Sequence, residues 1–397
     1  MATKTRISGR GGCTVIETIR GTIVLETDIW DNAEIVVVDG KITEMLPRPF
    51  HSRSSLYFPD ALIGPGLIDT HIHGGQSFDV MDGTDDAVMG LARYLVSRGT
   101  TSFLPTTMSG PHEAITQALE RIEWFRRHPP SLSARILGVH MEGPFLSPER
   151  CGAQNPEYLR LPNVDEMQQY LNLALVRIVT AAPELKGFAS LRTMLKKHGV
   201  IISLGHTAIA SFEDAWRTIN TLGITHVTHL FNGMPPLHHR DPGCGGAAIG
   251  TSNIVCEVIC DGIHIHPMWI QWLDRLLSDR TLLVTDAMRA AGLSDGIYEL
   301  GGQTVTVSNG VARTTTGHLA GSTLTLLHAV TNYQRFTQCS WPHAMSLGSM
   351  APAKLLGLEQ TIGSLAVGKD ADIMIFDPQT GTNFLTLIKG QVAWSSG

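Results

Sequence analysis

A chain of 397 residues, 43% hydrophobic and 17% charged, carries enough apolar material for one large core plus a smaller module and reads as a soluble globular protein. Its formal net charge of −6 leaves no basic footprint, which excludes nucleic acid and an anionic membrane surface as main partners. No leader pattern opens the chain and no run approaches a membrane span, and the six cysteines contain no CxxC, so the expected residence is cytoplasmic and reducing.

From Thr14 to Tyr57 the chain shows short β-branched pieces, TVIETI, GTIVLET and AEIVVVDGKITEML, separated by turn residues. GSLAVGKDADIMIFDP and NFLTLIKGQVAW repeat that texture at the other end. Residues 1–60 and 362–397 are therefore expected to form one small β-sandwich module, in preference to two unrelated edge hairpins. Between them, apolar runs of strand length alternate with turn signals and helix-period segments. The runs are ALIGPGLID, TTSFLPTT, ARILGVHME, VRIVTAAPE, VIISLGH, ITHVTHL, VCEVICDG and TLLVTDA. Eight of them predict an α/β fold with a (β/α)8 TIM-like barrel over residues 61–361. Ser211, with Asp214 three residues on, reads as a capping box before AWRTINTL. After the eighth run, residues near 296–316 read as a hairpin insertion.

Residues able to bind a metal or move a proton gather at the trailing ends of these runs: His71, His73, Glu142, His206, His229, Asp261, His264 and Asp286. In a parallel barrel all those ends share one rim, so the residues are predicted to converge in one mouth. His71 and His73 would project from one strand face about 6.5–7 Å apart, with Gly74 and Gly75 leaving space above them. Histidine and carboxylate donors without thiolate suit Zn²⁺ first among divalent ions, with Fe²⁺, Mn²⁺ or Co²⁺ as alternatives, at one or two ions per subunit. His226 lies three residues from His229 and cannot share its face, so it reads as a packing residue. His266 reads as helix entry. The cysteines read as buried small residues rather than ligands.

The strings GLIDTHIHG, HMEGPFLSPERCGAQNPEYLR, SLGHTAIA, THVTHLFNGMPPLHHRDPG, CDGIHIHP, LLVTDAM and LAGSTLTL together resemble the motif series of the N-acetylglucosamine-6-phosphate deacetylases of the amidohydrolase superfamily, over almost the whole chain. The resemblance implies a metal-dependent deacetylase releasing acetate from a small amino sugar phosphate. Position by position it implies Glu142, His206 and His229 as the main metal ligands and Asp286 as the catalytic acid/base. His71 and His73 match an HxH pair that some members lack and others use for a second ion. Asn232, Gly233, Asp261 and His264 fall at substrate-binding positions, and Leu319, Ala320 and Gly321 at a wall of the sugar pocket. Arg240 matches a phosphate contact reaching the neighbouring active site of a homodimer. On the loop that includes Ala153, Gln154 stands where the family usually has a histidine that polarises the substrate carbonyl; a glutamine donates there but carries no charge. Two alternatives stay open: the galactosamine epimer as substrate, and an impaired relative with an assembly or regulatory role.

Overall fold

In the computed structural model residues 18–48 and 56–396 are described; the expected pieces at 14–17 and Cys13 lie outside them, as do residues 49–55 and 397. The N-terminal end supplies β1 (Thr18–Val24), β2 (Ile29–Val38), β3 (Lys41–Leu46) and β4 (Leu56–Pro65). The barrel follows with β5 (Leu67–Ile72), β6 (Thr100–Thr107), β7 (Val139–Glu142), β8 (Val176–Ala181), β9 (Ile201–Leu204), β10 (His226–Val227), β11 (Val255–Ile259) and β12 (Thr281–Val284). An insertion gives β13 (Gly296–Leu300), β14 (Gln303–Ser308) and β15 (Val311–Thr314), and the C-terminal end gives β16 (Ile373–Phe376), β17 (Asn383–Ile388) and β18 (Gln391–Ser395).

Both ends meet in one seven-stranded sheet, ordered β18-β17-β16-β4-β1-β2-β3, which is the small β module. Its alternating apolar residues, among them Ile19, Ile35, Ile63, Ile373 and Leu385, form a core separate from that of the barrel. The first apolar run is shared between the two units and is not a single strand: Ala61 to Pro65 end β4, and Leu67 to Asp69 begin β5. Gly66 makes the passage, because a Cβ there would overlap the Thr101 side chain.

β5 to β12 lie in sequence order in a parallel sheet, with the short Arg135–Ile136 strand added beside β6. The ladder stops between β5 and β12, and the gap is closed by individual bonds. Thr285 Oγ1 donates to Asp69 Oδ2 at 2.7 Å, Asp286 N to the His71 carbonyl at 2.9 Å, and His73 N to the Ala287 carbonyl at 2.9 Å. The first and last strand ends are thus tied together at the rim where the chemistry gathers.

Helices cover the outside of the barrel. The helix Phe212–Leu222 starts at Ser211, whose hydroxyl oxygen accepts from Asp214 N, and ends at Gly223 in the left-handed region (φ +61°). The capping box is only half formed, since the Asp214 carboxylate accepts from the Ser211 hydroxyl at 2.8 Å instead of from its backbone. The insertion is a three-stranded antiparallel meander and not a hairpin: Gly301-Gly302 and Asn309-Gly310, all at positive φ, turn the chain twice. Among the described residues no helix is long and apolar enough to cross a membrane.

Candidate metal centre and its cavity

Six side chains from five strand ends converge at one rim. Glu142 ends β7, His206 follows β9, His229 follows β10, and Asp286 follows β12; His71 lies within β5 and His73 just beyond it. His206, His229 and Asp286 all hold positive φ (47°, 29° and 49°). Non-glycine residues avoid that region, so the strand ends are bent against preference to turn these side chains inward. Gly233 (φ +61°) permits the close approach, since a Cβ there would lie 2.9 Å from His206 Nδ1. Gly74 and Gly75 do the opposite of what the sequence suggests: they leave no space, because a Cβ on either would overlap the Phe78 carbonyl or the Tyr94 ring.

The donors fall into two groups sharing an edge. In the first, Glu142 Oε1, His206 Nε2 and His229 Nε2 lie 2.9–3.1 Å apart. Ligands bonded at 2.0–2.1 Å in a tetrahedron are separated by about 3.3–3.4 Å, so a small outward relaxation makes room for an ion. In the second, His71 Nε2 and His73 Nε2 are 3.3 Å apart and face Asp286 Oδ1 at 3.5 and 3.1 Å. The second oxygen of Glu142 lies 3.3 Å from His73 Nε2, which places that carboxylate between the groups.

Whether a cation belongs there can be read from the outward-facing ring nitrogens. His71 Nδ1 meets Glu257 Oε2 at 2.8 Å, His73 Nδ1 the Thr106 carbonyl at 3.1 Å, and His206 Nδ1 the Arg150 carbonyl at 2.8 Å. Those partners only accept, so each Nδ1 carries the proton and donates it. In its neutral form each ring would turn an Nε2 lone pair toward the carboxylate oxygens of Glu142 and Asp286. Lone pairs at this range repel unless a proton or a metal ion lies between them, and a nitrogen and oxygen set without thiolate fits a borderline or hard divalent ion. Without an ion a proton takes that place: burial lowers the pKa of His71 and His73, but surrounding carboxylates outweigh it, raising His71 well above its ordinary value and His73 to about 9. Burial raises Asp286, but the charge of His71 and the bond to His73 win and hold it at about 2, ionised at neutral pH.

A cavity of about 280 Å³ opens above this centre. Ala153, Gln154, Asn232, Gly233, His264, Leu319 and Gly321 line it beside Asp286, as the sequence predicts. Three expected contacts do not reach it. Ala320 is fully buried and packs into the core of the meander; Asp261 sits behind His264, accepts from its Nδ1 at 2.7 Å and lines an adjoining hollow that shares His264, Leu319 and Gly321 with the cavity; Arg240 is exposed on the 238–241 turn, beside His239. The sequence reading missed Met108, Phe231, Leu300 and His318 on the wall, apolar or loop residues with no distinguishing local pattern. Gln154 is held at both ends: Ser109 N donates to its Oε1 at 2.8 Å, and its Nε2 donates to Glu142 Oε2 at 2.7 Å. It steadies the shared carboxylate before it can touch a substrate.

The sequence reading also missed Glu257, which is fully buried in β11. The only signal available was a charged residue inside the apolar run VCEVICDG. His140 and His226 sit deeper: His140 is held by the Thr70 carbonyl and Thr180, and His226 by Ser203. His266 caps the helix Pro267–Leu277. Among the described cysteines none belongs to a donor cluster.

A family model described as "Amidohydrolase family" matches residues 62–393. An N-acetylglucosamine-6-phosphate deacetylase of Bacillus subtilis (strain 168) is 40% identical over 385 residues, covering 94% of this chain and 96% of that protein. An N-acetylgalactosamine-6-phosphate deacetylase of Escherichia coli O157:H7 is 36% identical over 381 residues, covering 94% and 98%. Among solved structures, an N-acetylglucosamine-6-phosphate deacetylase from Thermotoga maritima superposes with a TM-score of 0.83 at 31% identity, covering 95% of this chain and 99% of that one. A mutant of the Mycobacterium smegmatis N-acetyl-D-glucosamine-6-phosphate deacetylase, in complex with N-acetyl-D-glucosamine-6-phosphate, superposes at 0.87 with 28% identity and the same coverage.

Proposed function

The chain belongs to the amidohydrolase family, and from that membership we propose that it hydrolyses the acetamide of N-acetyl-D-glucosamine 6-phosphate to glucosamine 6-phosphate and acetate. The observation that carries this reading is the set of imidazole Nε2 atoms and carboxylates turned toward one another beneath a sugar-sized cavity, with ionised Asp286 at its floor.

Glu142, His206 and His229 would hold one ion; His71, His73 and Asp286, with the second oxygen of Glu142, would hold another. Zn²⁺ heads the candidates, ahead of Fe²⁺, Mn²⁺ and Co²⁺. A bound ion supplies Lewis acidity toward the acetyl oxygen and takes the pKa of a water from 15.7 toward about 7, so that water can attack at neutral pH. Asp286 begins as a carboxylate and so acts first as acceptor: it takes the proton of the attacking water, then returns it to the departing nitrogen. The amine leaves as a neutral group, which an amide nitrogen cannot do without that proton. His264, steadied from behind by Asp261, presents its other ring nitrogen to the sugar, and Asn232 and Gly233 bound the same wall. Gln154 keeps Glu142 in place and leaves its second amide hydrogen for the acetyl oxygen.

Among the described residues no arginine lines the cavity of its own subunit, and Arg240 is exposed on its turn. The reading therefore includes a homodimer in which each Arg240 grips the partner's substrate with paired hydrogen bonds. Its residence is the cytoplasm, where small sugar phosphates are retained. The E. coli relative favours a second reading, deacetylation of the galactosamine epimer.

Acetate release from the 6-phosphates of N-acetylglucosamine and N-acetylgalactosamine, and from unphosphorylated N-acetylglucosamine, tests these readings. Highest kcat/KM on the first is expected. Preference for the second would replace the substrate, and equal turnover without phosphate would overturn both.

A further inference from the structure

Beneath the metal-binding face lies a buried carboxylate that the proposed reaction does not use. Glu257 stands in the middle of β11 with no exposed surface, and among the described residues no lysine or arginine forms an ion pair with it. A charge in such a place is costly unless something compensates it. Its Oε2 accepts from His71 Nδ1 at 2.8 Å and from His229 N at 3.2 Å, so one oxygen touches a member of each donor group. Its Oε1 has no hydrogen-bond partner and faces His226 Nε2 at 3.8 Å, itself unpartnered, and His140 Nδ1 at 4.0 Å. Beside the His229 amide, the side chains around Glu257 are thus three imidazoles, and of these only His71 extends from it to the metal-binding face.

The geometry points to Glu257 as a positioning residue that fixes the His71 tautomer and governs how tightly the His71–His73–Asp286 group holds its ion. This inference rests on the metal-dependent reading above. A carboxylate behind a ligating imidazole keeps the proton on the far nitrogen, orients the ring and makes the near nitrogen a better donor; loss of such a partner costs 10–100-fold in affinity. His71 has this arrangement, while the corresponding nitrogens of His73 and His206 meet neutral carbonyls and that of His229 meets nothing. The charge therefore acts on one of the two groups. Its contact with His229 runs through the backbone and leaves that imidazole's electronics alone.

Metal-free wild type, Glu257→Gln and Glu257→Asp would be titrated with Zn²⁺ against a chromophoric chelator, with bound ions counted by elemental analysis. Glutamine keeps the shape and an accepting oxygen but drops the charge; aspartate keeps the charge and withdraws it by one methylene, which covers a failure of the first variant to fold. Two ions in wild type are expected, with one unchanged in both variants and the other weakened 10–100-fold. Equal affinities in all three proteins, or equal weakening of both ions, would overturn the assignment of Glu257 while leaving metal dependence intact. A wild type that binds no divalent ion would overturn the metal-dependent reading itself, and this inference with it.

Discussion

Asp286→Asn keeps the volume and one accepting oxygen of the side chain and removes its capacity to carry a proton. At matched metal content kcat is expected to fall by about 10²–10⁴-fold, measured by acetate release; unchanged turnover would remove Asp286 from proton transfer. The residues at this scale were unequally visible beforehand. His71, His73, Glu142, His206, His229 and Asp286 stand out because each is a polar group directly after an apolar run, and a parallel barrel sends all such ends to one rim. Glu257 obeys the same period but lies one layer deeper, inside a run, where a charge looks like an interruption of a strand instead of a support for its neighbour. Gln154 was legible as a departure from a pattern, yet its bond to Glu142 joins residues on a loop and a strand and is visible only in three dimensions.

The outer helices contribute through specific contacts as well as apolar area. Glu123, near the end of the helix His112–Arg127, binds Arg126 and Arg127 and accepts from Leu175 N at 3.2 Å, which joins the helix to the residue entering β8. Burial raises its pKa, but those three donors outweigh it and lower it from 4.5 to about 2. A carboxylate with a depressed folded-state pKa stabilises above its unfolded value and loses that contribution as pH falls through the folded value. Glu123→Gln is accordingly expected to lower Tm at pH 6–7, with the deficit shrinking as pH drops from about 4.5 toward 2 in paired thermal scans. A deficit independent of pH would mean the contact acts by packing alone. Element boundaries were legible where turn chemistry is local, as at Ser211 and Asn309-Gly310. They failed at Gly66, because ALIGPGLID is uniformly apolar and the change of sheet is decided by Thr101 across the barrel, not by its own residues.

At the scale of the whole molecule, the barrel and the two-ended sheet followed from the order of strand-like and helix-like segments, whereas assembly between subunits did not. The helix Pro267–Leu277 leaves Met268, Trp272 and Leu276 exposed by 44, 45 and 54%, one stripe at four-residue spacing. Trp269 connects that stripe to the cavity wall, lying 5.1 Å from the Phe231 ring and 4.9 Å from that of Trp272. The proposed homodimer is expected to use this face. Trp272→Glu is expected to shift the protein from dimer to monomer in sedimentation, and Arg240→Ala to raise KM roughly 10-fold or more with kcat nearly unchanged. A dimer that persists in the first variant would move the interface elsewhere, and an unchanged KM in the second would remove Arg240 from the phosphate.

Gly66 hands the chain from the small sheet to the barrel, but the sheet it leaves is unfinished at that point: in it Ile63 pairs with Ile375. During synthesis, then, β4 must wait with an unpaired edge while the entire barrel is made. Closure of the small module is therefore expected to follow synthesis of the barrel, since β16 comes after it in the chain. Until then that edge of β4 is open to wrong pairing.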